Sequence, residues 1–136
     1  YMLAERSYDY FIISSIMLRR STKMIEDYQF GSMKIDGKRY KNDLKIIKGR
    51  VVADWWRKEG HSVEEADVGD ILEAKPEVVV VGMGKPGRMQ VENSLRSAMA
   101  QANIRLIEEP TASALQTFNR LYDEGKHVAG AFHLTC

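Results

Sequence analysis

The sequence predicts an α/β domain of three layers. A β-α-β-α-β unit forms a parallel-type sheet, and an N-terminal antiparallel meander forms a second sheet. Three observations carry this expectation. Val78-Val79-Val80-Val81 is an unbroken run of β-branched residues, the pattern of a strand buried on both faces. Downstream of it, stretches with helical periodicity alternate with short apolar runs. Upstream, Asp36-Gly37 and Lys48-Gly49 each separate two strand-like runs, as tight hairpin turns do.

In chain order, the first patterned segment begins at Met24. Residues 1–23 are therefore expected to be an upstream appendage and residues 24–136 a single domain; the alternative is a short strand or helix over 8–18 packed on that domain. Residues 33–35 and 38–40 flank the Asp36-Gly37 turn, and residues 44–47 and 50–53 flank Lys48-Gly49, which together predict a meander with one wet, basic face. Ser62 and Glu65 have the spacing of a capping box for a short helix within 63–74, and Pro76 separates it from the valine strand. After the strand, Val91, Leu95, Ala98 or Met99, and Ala102 lie on one helical stripe. Residues 104–107 form the next strand. Thr111 is the expected N-cap of a second helix with Leu115, Phe118 and Leu121 on one face, and Gly125 its C-terminal stop. The last strand falls in 128–134, and strands joined through helices pair in parallel.

The 136 residues are 44% hydrophobic and 29% charged, enough for one domain to close a core without staples. The net charge of +1 argues against a dedicated nucleic-acid binder. Charge is nevertheless segregated: residues 34–58 hold nine Lys/Arg against three Asp, and residues 59–77 one Lys against seven Asp/Glu. Two readings stand, faces that attract each other within the fold or a basic face for an acidic protein partner. The lone cysteine, Cys136, excludes an intrachain disulfide and suits a cytoplasmic setting. The longest apolar run, residues 10–18, is about half of what a bilayer requires, so no membrane association is expected.

The spacing Gly82-Met83-Gly84-Lys85-Pro86-Gly87 after a strand is G-x-G-x-x-G. Backbone amides in such a turn, at the start of a helix, attract anions, and Lys85 and Arg88 add positive charge. Glu108 falls roughly 20 residues on, where a dinucleotide fold places its ribose-binding acid. Against NAD stand Pro86, which removes an amide, and the absence from this sequence of a second mononucleotide half. A structural turn, an anion site at Gly82, Met83, Gly84, Lys85 and Arg88, and a dinucleotide site remain as three readings, NAD being the least supported, and no cofactor is expected.

Trp55, Trp56, Arg57 and His61 form a second candidate. Successive strand residues point to opposite faces, so one tryptophan is expected outside the core, where Arg57 can stack on it. No metal site is expected: His127 and His133 are six residues apart, about 20 Å along a strand, and there is no H-E-x-x-H or cysteine pair. Cys136 has no histidine to activate it except a spatial neighbour such as His133. No catalytic constellation is visible, which leans the reading away from an enzyme.

Several motifs occur together: Tyr28-Gln29-Phe30-Gly31 with the Asp36-Gly37 turn, Trp55-Trp56-Arg57-Lys58-Glu59-Gly60-His61, Val81-Gly82-Met83-Gly84, Thr117-Phe118-Asn119-Arg120-Leu121, and the stretch from Glu124 to Cys136. In this combination the chain from Met24 onward resembles the Mth-nine-three-eight-like domain family, whose relatives include an adipogenesis-associated protein and a mitochondrial complex I assembly factor. The resemblance implies a three-layer α/β domain and no established reaction. It also adds Thr117 and Asn119 as pocket or surface candidates; Phe118 stands where the family often has Tyr. The function expected is a non-catalytic protein-binding or assembly-type module, the alternative a binder of a phosphate- or carboxylate-bearing small molecule at the Gly82–Arg88 turn.

Overall fold

The structure, a computed structural model, describes residues 23–136, so the expected appendage at 1–23 lies outside the described residues apart from Lys23. Strands β1 (Ile25–Gln29), β2 (Ser32–Ile35) and β3 (Lys38–Tyr40) form a three-stranded antiparallel sheet. Asp36 and Gly37 turn the β2–β3 hairpin, both at positive φ (50° and 84°). Strands β4 (Leu44–Ile47) and β5 (Arg50–Val52) form the second hairpin through Lys48-Gly49.

The two hairpins do not form one meander. The β4 hairpin leaves the first sheet and joins the central one, with β4 antiparallel to β10 (Val128–Phe132). Burial explains the split. Along β2 only Met33 and Ile35 are fully buried, so a single covered face suffices, whereas Leu44, Lys45 and Ile46 are buried consecutively and need cover on both sides. The expected wet basic face is interrupted in consequence. Lys45 is buried, its Nζ 2.8 Å from Asp70 Oδ1 and 5.9 Å from the Trp55 ring centre. This pair joins the basic and acidic stretches of the sequence within the fold.

Ser62 does not cap a helix. It lies in β6 (Ser62–Val63), and the capping box forms two residues later, where Glu64 and Asp67 exchange bonds around a 3₁₀ turn (Glu65–Val68) leading into α1 (Gly69–Ala74). The chain is still extended at Ser62 because β6 pairs in parallel with β8 (Gln90–Val91), so the first amides needing a cap come later.

The rest follows the expected alternation: β7 (Val78–Gly82), β8, α2 (Asn93–Gln101), β9 (Arg105–Glu109), α3 (Thr111–Asp123) and β10. The central sheet has the order β5-β4-β10-β7-β9, with β7 parallel to both of its neighbours. Val79 and Val81 pack with Ile71 of α1 and Leu95 and Met99 of α2; Val78 and Val80 pack with Leu115 and Phe118 of α3 and with Ile25, Met33 and Ile35 of the small sheet. These are the three layers.

The small sheet is fastened by Asn119. Its Oδ1 accepts from Ile25 N–H (3.0 Å) and its Nδ2 donates to Ile25 C=O (2.9 Å), all buried. Asn119→Ala leaves both backbone groups unpaired, each costing roughly 1–3 kcal/mol. The variant is expected to lose about 3 kcal/mol in urea unfolding; a loss below about 0.5 kcal/mol would show that the small sheet is held by apolar packing alone.

Candidate functional site

From β7 the chain crosses to β9 on one side and then returns to β10 on the other, so the carboxyl ends of β7 and β10 lie side by side where the connections diverge. In open α/β sheets this edge is where ligands bind. The antiparallel β4 begins at the same edge, Leu44 facing Phe132. The topology thereby gathers Gly82–Gly84, Asp43 and the tail His133–Cys136.

The glycine turn is filled by the protein itself. Met83 N–H donates to Glu109 C=O (2.8 Å), Gly84 N–H to Thr111 Oγ1 (2.9 Å) and Lys85 N–H to Thr135 C=O (2.9 Å), and Gly82, Met83 and Gly84 are all buried. Gly84 has φ 97°, and a Cβ there would collide with the Thr135 carbonyl oxygen and stand 2.6 Å from His133 Cδ2. The glycine is thus required by close approach of the C-terminal tail. Nor does the turn open a helix: β8 intervenes and α2 starts only at Asn93, so the expected strand-turn-helix is replaced by strand-turn-strand-helix. Lys85 and Arg88 are exposed, while Glu108 receives both Nε and Nη2 of Arg96 at 2.9 and 2.7 Å. Thr111 is the first residue of α3 rather than its cap, and its hydroxyl donates to His133 C=O (2.6 Å).

Beside the turn lies a buried charged trio. Asp43 Oδ2 is 2.8 Å from Arg57 Nη2 and 2.7 Å from His133 Nδ1, and Oδ1 accepts from Leu134 N–H at 2.7 Å. The side chains of Asp43, Arg57 and His133 are only 13%, 5% and 7% exposed. Burial alone would raise the Asp43 carboxyl, but hydrogen bonds from His133, the Leu134 amide and Arg57 outweigh it and hold the group below the ordinary value of 3.8. Since Asp43 is ionised, His133 carries its proton on Nδ1 and donates it there. Arg57 also donates through Nε and Nη2 to Gly60 C=O (3.1 and 2.8 Å) and stacks on Trp55, 4.6 Å from the ring centre. Arg57 Nη1 and His133 Nε2, both buried, have no hydrogen-bond partner among the described residues.

The trio floors a cleft of about 280 Å³, whose walls include Lys41, Trp56, His61 and Thr135. Trp55 is buried and donates Nε1–H to Asp67 C=O (2.8 Å), whereas Trp56 is 73% exposed. Arg57 therefore stacks on the inner tryptophan, not the outer one. His61 is exposed and meets His133 edge to face at 5.6 Å. Tyr28 donates to Leu134 C=O (3.0 Å); burial, and then the Asp43 charge, push its phenol up, which keeps that donor protonated.

The remaining expected positions lie elsewhere. Thr117 donates to Glu109 Oε1 (2.7 Å), and Asn119 holds β1. His127 stands at the opposite end of β10 from His133, and no cluster of three or more metal-ligand side chains occurs among the described residues. Asp43 and Lys41 escape sequence reasoning because they sit in a short charged connection with no periodicity; Asp43 matters only through the pairing of β4 with β10. No helix among the described residues is long and apolar enough to cross a membrane.

Residues 25–133 match the family described as a protein of unknown function (DUF498/DUF598), and the chain belongs to that family. Its fold is similar to that of MT938, with 27% identity and a TM-score of 0.70 over 84% of this chain and 99% of that one. The conserved hypothetical protein PH1505 from Pyrococcus horikoshii OT3 is similar at 26% identity and a TM-score of 0.70, covering 82% and 98%. A Mth938-like domain protein from Bordetella pertussis shares the fold at 18% identity and a TM-score of 0.56, covering 82% and 85%. The Mth-nine-three-eight-like resemblance and the mixed α/β fold are thereby shown.

Two stability outcomes follow from this edge. Asp43→Asn leaves Arg57 buried and uncompensated and is expected to cost about 3 kcal/mol at pH 7. The folded Asp43 carboxyl lies below 3.8, so its contribution is complete above that value and disappears as pH falls through the folded pKa. Urea unfolding of both proteins from pH 7 to pH 2 should show the gap closing below about pH 4; a gap independent of pH would mean that the loss is steric. Gly84→Ala should cost more than about 2 kcal/mol from backbone strain and overpacking, read as a lowered urea midpoint.

Proposed function

We propose that this domain is a non-catalytic binding module that docks a protein partner on the cleft at the carboxyl edge of the central sheet, with Trp56 as its anchor. The observation that carries the reading is the contrast between adjacent tryptophans. Trp55 is 4% exposed and Trp56 73%. The backbone that carries the exposed indole is flanked by two anchored residues, Trp55 bonded to Asp67 and Arg57 bonded to Asp43 and Gly60. Tryptophan is among the residues that most often dominate interface energies. The inward bonding of Asp43, Arg57 and His133 supports a scaffolding role for that trio beneath the rim, in keeping with an assembly-type module.

A carboxylate- or phosphate-bearing small molecule is the second reading. The unpartnered Nη1 of Arg57 and the nearby Lys41 favour the cleft for it over the Gly82–Arg88 turn, where the Met83, Gly84 and Lys85 amides are engaged.

Trp56→Ala tests the docking reading. As a surface change it should alter stability by less than about 0.5 kcal/mol. Affinity capture with the wild-type protein should retain at least one protein that the variant loses; identical captures from the two would overturn the proposal.

A further inference from the structure

We propose that the cleft receives a carboxylate presented by an acidic segment of the partner, with Arg57 Nη1 and Lys41 as its ligands, an inference that rests on the docking reading above. The juxtaposition that carries it is a buried guanidinium with one face unused, an unanswered lysine, and a carboxylate already saturated from within.

Arg57 presents two of its nitrogens to the protein, Nε to Gly60 C=O and Nη2 to Gly60 C=O and Asp43. Nη1 is buried and has no partner among the described residues, in a side chain only 5% exposed. A guanidinium is charged at every accessible pH and offers donors only, so what completes it must accept hydrogen bonds. Asp43, on the same cleft wall, does not meet that need: its two oxygens already take Arg57 Nη2, His133 Nδ1 and Leu134 N–H. Asn42 is also engaged, its Nδ2 donating to Asp54 (2.8 Å). Of the charged groups lining the cleft, Arg57 and Asp43 offset each other and exposed Lys41 is left, with no ion pair among the described residues. The cleft is therefore net positive, lined by Arg57, whose buried Nη1 has no partner among the described residues, and by exposed Lys41. A carboxylate satisfies both, and charge-assisted bonds of this kind are the stronger class of hydrogen bond.

The cleft, of about 280 Å³, has room for an acidic side chain. The exposed Trp56 beside it supplies apolar contact for the chain on either side of an acidic residue.

The test uses the full chain and four probes: an acetylated, amidated peptide of alternating Gly and Glu, its Gln counterpart, succinate and inorganic phosphate. Binding is read from the change in tryptophan fluorescence and from backbone amide NMR shifts at Lys41, Arg57 and His133. The Glu peptide is expected to bind about tenfold more tightly than the Gln peptide, with affinity falling as ionic strength rises. Lys41→Ala should weaken it about threefold without affecting the fold, and Arg57→Lys, which keeps the charge and loses the fork, should weaken it further. Equal binding of the Glu and Gln peptides, failure of both, or indifference to Lys41→Ala would overturn the carboxylate inference while leaving Trp56-dependent capture intact. Succinate binding as tightly as the peptide would replace the partner segment with a free small carboxylate. Tighter binding of phosphate would overturn the ligand class. Loss of Trp56-dependence in the capture experiment would instead remove the docking reading on which the inference rests.

Discussion

Burial of β7 on both faces is the constraint from which the rest of the structure follows. Val78 and Val80 face one way, Val79 and Val81 the other, and all four are at most 4% exposed. A strand of this kind has no solvent side, so both faces must be covered and both edges paired. Helix α2 covers one face with Leu95 and Met99. Helix α3 covers the other with Leu115 and Phe118, and the small sheet closes the layer behind it. Pairing with β9 on one side and β10 on the other completes the strand, and β10 in turn recruits β4. The small sheet, buried on one face only, is left to an outer layer and is tied down by the two bonds between Asn119 and Ile25.

That topology also decides what lies at the carboxyl edge. The tail after β10 runs across the turn after β7: His133 N–H donates to Gly82 C=O, and Thr135 C=O accepts from Lys85 N–H. Thr111 ties the two together through one hydroxyl, accepting from Gly84 and donating to His133. Leu134 C=O receives both Gly31 N–H and Tyr28 O–H, so the small sheet is anchored at the same point. Of the amides that make such a turn an anion cradle in nucleotide folds, that of Lys85 here holds the C-terminal tail, and those of Met83 and Gly84 are taken by Glu109 and Thr111. The cleft is displaced sideways, toward Asp43 and Arg57, where backbone amides give way to side chains.

Much of the architecture was legible because it depends on local pattern. Four consecutive valines, the Asp36-Gly37 and Lys48-Gly49 turns and the Leu95–Met99 part of the helical stripe are short-range signals that the structure uses, whereas Val91, expected to open that stripe, lies in β8. Failures of the reading occurred where distant partners decide. Ser62 carries the spacing of a cap, but pairing with Gln90 keeps it extended; Gly84 carries the spacing of a phosphate turn, but Thr135 and His133 occupy its surroundings. Asp43 was invisible for the same reason, since its neighbours His133 and Arg57 are 90 and 14 positions away in the chain. Trp56 was legible in type, as half of an adjacent pair that one face could not accommodate, although Arg57 chose the buried member to stack on.

The charged trio has a further implication. A buried ion pair gives up hydration that its Coulombic attraction often only recovers, and apolar residues of similar volume frequently serve stability as well or better. Stability alone is therefore a weak reason for Asp43, Arg57 and His133 to be buried together. Were stability the sole criterion, the arrangement would also be expected to satisfy every polar atom, because a partly satisfied buried network is worse than an apolar core. Asp43 meets that standard; Arg57 Nη1 and His133 Nε2 do not. Both of these atoms belong to side chains that line the cleft beside an exposed tryptophan, while a third such atom, His127 Nε2, stands at the opposite end of β10. Natural folds depart from local consistency chiefly at sites of function or strain, and two of the three buried polar atoms without a partner among the described residues lie at this edge of the sheet.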